Sequence, residues 1–219
     1  MSKTEADNTN PEKDIIKYFQ QRGILAKIKR EKLEYGGLQD SEIAALRIHM
    51  TANGYRDFTE DFLKTVARNK KRNTQIVNKL IDLNNAHIPT IVFACSVEHG
   101  RMLSAALTMQ GIKNGHVFGN MDSMERSNII AKFKNIEEDL NILINYEVLT
   151  TGFDATNIGC VFITRPTNSV VLYSQMLGRG LRGIQMGGNE NCILIDIEDN
   201  LSKYTNESEA FNYFNNYWN

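Results

Sequence analysis

Two arginines, Arg179 and Arg182, stand three residues apart in YSQMLGRGLRG (173–183), between Gly178, Gly180 and Gly183. A guanidinium grips phosphate through a planar fork of donors, and neighbouring glycines predict backbone relaxed enough to present it. Two more stretches carry groups of comparable use. In CSVEHG (95–100), Ser96 can cap a helix and leave first-turn amides facing a ligand. In NYEVLTTGFDATNIG (145–159), the hydroxyls of Thr150 and Thr151 precede Gly152, with Asp154 two positions beyond it. Glycine permits close backbone approach, and a carboxylate can accept from a sugar hydroxyl or orient an arginine. Taken singly, each stretch has a structural reading as well: a helix cap, a turn with a capping aspartate, a pair of surface arginines.

Positioning these groups is the task of the surrounding elements. From residue 88 onward, short apolar runs alternate with helical segments. The runs are TIVFAC (90–95), GHVF (115–118), LNILI (140–144), CVFIT (160–164) and NCILIDI (191–197). Between them lie VEHGRMLSAALTMQG (97–111), DSMERSNIIAKFKN (122–135) and NSVVLYSQMLG (168–178). Continuous apolar strands separated by helices predict an α/β domain over 88–200, a parallel sheet with helices on both faces. Its crossovers place the functional loops along one edge. Val170, Tyr173, Met176 and Leu177 recur at helical spacing and are expected in the core.

Ahead of this domain, residues 1–10 read as a disordered tail and 11–87 as a mostly helical extension or interdomain linker region. PEKDIIKYFQQRG (11–23) predicts an amphipathic helix stopped by Gly23. ILAKIKREKLEY (24–35) partly alternates and reads as extended. LQDSEIAALRIHMTANG (38–54) predicts a helix closed by Asn53–Gly54. Residues 57–85 predict one long helix with Phe62, Val66, Ile76, Leu80 and Leu83 on its apolar side. Residues 201–219 read as a C-terminal helical segment.

Composition narrows the function classes. The chain has 219 residues, 42% hydrophobic and 23% charged, with a net charge of −1. That balance argues against a general basic coat for nucleic acid but not against a local groove. The basic clusters AKIKREK (26–32) and ARNKKRN (67–73) read as solvated faces. No run reaches membrane-span length, no secretory h-region is evident, and a cytoplasmic protein without membrane contact is expected. Cys95, Cys160 and Cys192 lie in apolar stretches without CxxC spacing, which predicts buried thiols and no metal site.

The order of the loops is specific. IVFACSVEHG, then MDSMERSNIIAKFK, then VLTTGFDATNI, then RPTNSVVLYSQMLGRGLR resemble motifs IV, IVa, V and VI of superfamily 2 helicases of DEAD/DEAH type. The nearest flavour is that of restriction-enzyme motor subunits and RadD-like DNA repair helicases. The resemblance covers about residues 11–200 and is strongest over 90–183. It implies the second of two RecA-like motor domains. By position, Arg182 matches the arginine finger and Arg179 its companion. Gln175, Gly152 and Asp154 match nucleotide-side positions. Ser96, Thr150, Thr151 and Tyr146 match places that touch nucleic-acid phosphates, and Arg126 matches the arginine of motif IVa. Met176 stands where many relatives carry arginine, and Tyr146 where DEAD-box relatives carry threonine.

The resemblance also implies ATP and Mg²⁺, held mainly by a first RecA-like domain. The sequence contains no GxxxxGK[ST] and no acidic box after a strand; IEDN (197–200) follows the last strand, beyond motif VI. The expectation is therefore part of a motor, inactive alone, with nucleic acid as partner and no oligomer indicated. The wording RPTNS…QMLGRGLR favours DNA, and under this resemblance the basic patch at 68–72 is a further candidate contact to it. Two other readings stand beside it: a non-catalytic interaction module reusing a helicase-like domain, and a self-contained nucleotide- or phosphate-binding α/β enzyme.

Overall fold

The β-branched runs become strands because residues alternating to both faces are apolar, so each strand can be buried on both sides. The computed structural model describes residues 11–50, 56–148 and 155–198. The first elements are helix α1 (Pro11–Gln21), strand β1 (Lys27–Leu33), helix α2 (Asp40–Ala45) and strands β2 (Ile48–Met50) and β3 (Arg56–Phe58). Helices α3 (Glu60–Ala67) and α4 (Lys70–Asn85) follow. Then come β4 (Thr90–Phe93), α5 (Val97–Met109), β5 (Asn114–Val117), α6 (Ser123–Lys134), β6 (Ile142–Asn145), β7 (Cys160–Ile163), α7 (Val170–Leu177) and β8 (Asn191–Ile197).

Six strands form one sheet in the order β1-β8-β7-β4-β6-β5, and every neighbouring pair is parallel. The expected α/β, RecA-like parallel sheet is thus what the chain forms. On one face Ile91, Phe93, Leu143, Val161 and Ile163 pack with Phe133 of α6 and Tyr173, Met176 and Leu177 of α7. On the other, Val92, Ile144, Phe162 and Ile195 pack with Ile76, Leu80 and Leu83 of α4 and Leu103 and Leu107 of α5. All three cysteines are free and buried. No helix among the described residues is long and apolar enough to cross a membrane.

Three upstream segments differ from their sequence reading. The 24–35 stretch is extended, but it also joins the sheet: β1 runs beside β8 from Lys27↔Asn191 to Leu33↔Ile197. The sheet therefore reaches back past residue 88. The helix expected over 38–54 is only α2, because Leu46 takes an extended conformation and β2 then pairs antiparallel with β3. Asn53 and Gly54 lie outside the described residues, as do 1–10 and 201–219.

The long helix expected over 57–85 is broken in two. Asn69 adopts an extended ψ and caps α4, its Oδ1 accepting from the Arg72 amide at 3.0 Å. Asparagine competes with helix through such bonds, which makes it a better cap than an interior residue. Asn69 also donates to Glu42, and both are buried. Arg72 is not on a solvated face. It lies at 0% exposure on the stripe of Ile76, Leu80 and Leu83, donating to the Thr164 carbonyl at 2.5 Å.

Candidate functional site at two edges of the sheet

Helix α7 starts where β7 ends. Ser169 caps it by accepting from the Leu172 amide at 3.2 Å. Its eight residues rise about 12 Å, close to the ~13 Å length of a four-residue strand. It therefore runs back along β7 and delivers Gly178–Gly183 to the edge where the strands begin. There Gly180 packs on Val161 and Cys192, near the starts of β7 and β8. The arginines are thus carried to the edge opposite the loops that follow the strands, which corrects the expectation of a single functional edge. The helix length is the cause.

The glycines are not slack. None of Gly178, Gly180 and Gly183 takes a positive φ. At Gly180 and Gly183 neighbours come too close for a side chain, whereas a Cβ on Gly178 would meet nothing within 4 Å. A Cβ on Gly180 would overlap the Cys192 sulfur, one on Gly183 the Gly23 carbonyl, and one on Gly188 the Arg182 carbonyl. The backbone is also clamped by the segment ahead of β1. Ala26 N donates to Leu181 O at 2.9 Å, Gly183 N to Ile24 O at 3.0 Å and Gln185 N to Gly23 O at 2.9 Å. Leu25 and Arg182 form an antiparallel bridge. On this fixed chain Arg179 and Arg182 are half-buried, and Arg179 Nε donates to the carbonyl of Gln175, also half-buried, at 3.3 Å. Two guanidiniums on one short turn make a donor set that fits phosphate oxygens.

The other edge holds Ser96 and Tyr146, brought together because β4 and β6 pair and end at Phe93↔Asn145. Ser96 is buried and caps α5, accepting from the His99 amide at 3.1 Å. Burial raises the phenol of half-buried Tyr146, aided by the charge of Glu147, so it stays neutral. Thr150, Thr151, Gly152 and Asp154 lie outside the described residues. Arg126 turns onto its own helix entry, its Nη2 3.3–3.4 Å from the carbonyls of Phe118, Gly119 and Met121.

Buried polar groups that the sequence reading missed hold this edge. Asp57 accepts from Arg165 Nη1 at 2.8 Å, and from Thr167 Oγ1 and the Asn168 amide at 2.9 Å. It thereby fixes the RPTNS loop that starts α7. His99 Nδ1 accepts from the Cys95 amide at 3.1 Å, which leaves the proton on Nε2, 3.1 Å from Asn73 Oδ1. Burial, with the Arg72 charge beside it, pushes His99 down to about 3. Asn145 is buried at the end of β6, its amide donating to Val92 O at 2.9 Å. Glu198, of the acidic IEDN, accepts from the amides of Tyr35, Gly36 and Gly37 at 2.5–2.7 Å. The signal for that nest was the glycine pair at 36–37, both with positive φ. The signal for Arg72 was its register with Ile76 and Leu80, four and eight residues on.

Comparison with known proteins places the fold in a family. Residues 72–184 match the helicase conserved C-terminal domain family. The candidate ATP-dependent helicase IRC3 of Saccharomyces cerevisiae is 30% identical over 182 residues, 80% of this chain and 25% of that protein. The candidate mitochondrial ATP-dependent helicase irc3 of Schizosaccharomyces pombe is 33% identical over 144 residues, 66% of this chain and 23% of that protein. The chain thus spans about a quarter of the length of these curated relatives. A fragment of a candidate HsdR subunit of a type I restriction enzyme from Vibrio vulnificus shares the fold. Its TM-score is 0.59 at 19% identity, over 87% of this chain and 35% of that one.

Proposed function

Because the chain belongs to the helicase conserved C-terminal domain family of ATP-dependent helicases, we propose that it is the second RecA-like half of a motor that moves on nucleic acid, with DNA the favoured track. The observation that carries this reading is the pair Arg179 and Arg182 on clamped backbone, at the edge away from Ser96 and Tyr146. One edge then serves a nucleotide and the other a strand.

ATP with Mg²⁺ supplies the transferable phosphoryl group when bound, held mainly by a first RecA-like domain. This chain contributes charge and position. Arg182 acts as the arginine finger and Arg179 as its companion, with Gln175, Gly152 and Asp154 on the nucleotide side. Donors already in place need no reorganisation as charge develops on the transferring group. Arginine fingers contribute ~10³–10⁵ in rate, about 4–7 kcal/mol. Helix α7 supports coupling between the edges. It is held at one end by Asp57 through Thr167 and Asn168, and it passes directly into the arginine turn at the other. Thr150, Thr151, Ser96 and Tyr146 are the strand-side contacts of this reading.

The test is Arg182→Ala in the full-length enzyme. Its kcat for ATP should fall at least ~10³-fold, while the same change leaves the unfolding of this chain unaltered. Turnover at the normal rate would refute the finger. The isolated 219-residue chain should hydrolyse no ATP, and Mg²⁺-dependent hydrolysis by the pure chain would refute the assignment of the nucleotide to another domain.

A further inference from the structure

A cleft of about 770 Å³ opens between α3, the first turn of α4 and the first turn of α5. One wall carries Lys64, Arg68 and Lys70; the facing wall carries Ser96, Glu98 and Met102. All three cations are exposed. Their frame is rigid, because Asn69 caps α4 and bonds Glu42, Arg72 is anchored to Thr164 O, and His99 bridges to Asn73 across the two walls. The cluster ARNKKRN is therefore divided by the fold. Arg72 is spent inside, Lys71 reaches toward Gly36, and Arg68 and Lys70 face the cleft with Lys64.

We propose that this cleft is a further wall of the single-strand track, where Lys64, Arg68 and Lys70 take the sugar–phosphate backbone and Ala67 and Met102 face its sugars and bases. The inference rests on the motor reading but adds to it. Lys64, Arg68 and Lys70 all precede residue 72, where the family match begins, so no family position assigns them this role. Three cations against one carboxylate, Glu98, give the cleft the charge that a polyanion needs. Ser96 lies within the same cleft, which makes the new wall continuous with the strand-facing edge. The Lys64–Glu60 pair at 3.3 Å is exposed and gives way at little cost.

Glu98 is the resident anion of the facing wall. Its own backbone amide, the Ser96 hydroxyl, and the Lys64 and Arg101 charges hold its carboxyl below the ordinary range. An incoming phosphate would compete with it for the same partners.

The test titrates the 219-residue chain into labelled oligo-dT and oligo-U across a range of salt. Replacing Lys64, Arg68 and Lys70 by Ala should weaken binding and reduce the salt slope by ~0.7 for each phosphate no longer neutralised, about 2 in all. Glu98→Gln should tighten binding. Equal losses on both oligomers support recognition of the phosphate chain alone, and a greater loss on oligo-dT assigns the track to DNA. Should the triple variant melt lower, Arg68→Gln and Lys70→Gln singly, each expected to reduce the slope, carry the same measurement. Wild-type affinity and slope in these variants would overturn the proposal, as would a wild-type chain that binds neither oligomer. Arg182 is untouched throughout, so the cleft and the motor reading fail separately.

Discussion

The arginine edge and the edge that holds Ser96 and Tyr146 are built by opposite means. At the arginine edge, backbone meets backbone: the turn from Gly178 to Gly183 is clamped by residues 23–26, and side-chain volume is excluded at Gly180, Gly183 and Gly188. At the other edge, side chains meet side chains: Asp57 with Arg165 and Thr167, Glu42 with Asn69, His99 with Asn73. A backbone clamp fixes the chain that carries the two half-buried guanidiniums. A buried polar network holds position by using up its own charges. The lesson is that a working charge is best carried on chain that is fixed by something other than that charge.

The contrast can be broken first at Asp57. Asp57→Ala strands Arg165 in a buried site and should cost about 3–5 kcal/mol in urea unfolding. A loss below ~1 kcal/mol would mean that the ion pair does not hold the start of α7. Next comes pH. His99 is neutral in the fold at about 3 and ordinary when unfolded at 6.5, so the unfolded chain binds the extra proton between these values. Stability should therefore be complete above pH 6.5 and fall as pH drops toward 3, by on the order of 4 kcal/mol. Unfolding curves of wild type and His99→Gln should converge in slope only above that window.

At the arginine edge, Gly183→Ala meets a carbonyl that cannot yield and should cost about 3 kcal/mol, the upper end for overpacking. Gly180→Ala meets side chains that can shift and should cost less. An equal cost for both would deny that backbone contact sets this edge. The smallest effect belongs to Ser96→Ala, which loses the α5 cap and about 1 kcal/mol of melting stability.

What the sequence revealed follows the range of each interaction. The stripe Ile76, Leu80, Leu83 and the four-residue buried strands are local patterns, and they were legible. Arg72 shares that stripe, but its burial depends on a carbonyl 92 residues away. The 24–35 stretch was legible as extended, yet its place in the sheet depends on partners 163 residues distant, as Lys27 and Glu190 are. The loop order of the candidate site was plain in the sequence. Which edge each loop serves was not, because that follows from the length of α7 measured against the strand beneath it. Gly180 and Gly183 of YSQMLGRGLRG were visible as glycines, but the neighbours that require them come from residues 23–24, 161 and 192.

Strand β1, KIKREKL, borders the sheet, and directly inside it runs β8, NCILIDI. The outer strand is almost all charge and the inner one almost all grease. A chain that began at residue 72, where the family match starts, but kept β8 would bare seven residues of unsatisfied, sticky ribbon. Ribbons of that kind recruit copies of themselves, and lysine-rich border strands are a common guard against it. Strand β1, ahead of the family match, thus closes that ribbon with a charged border.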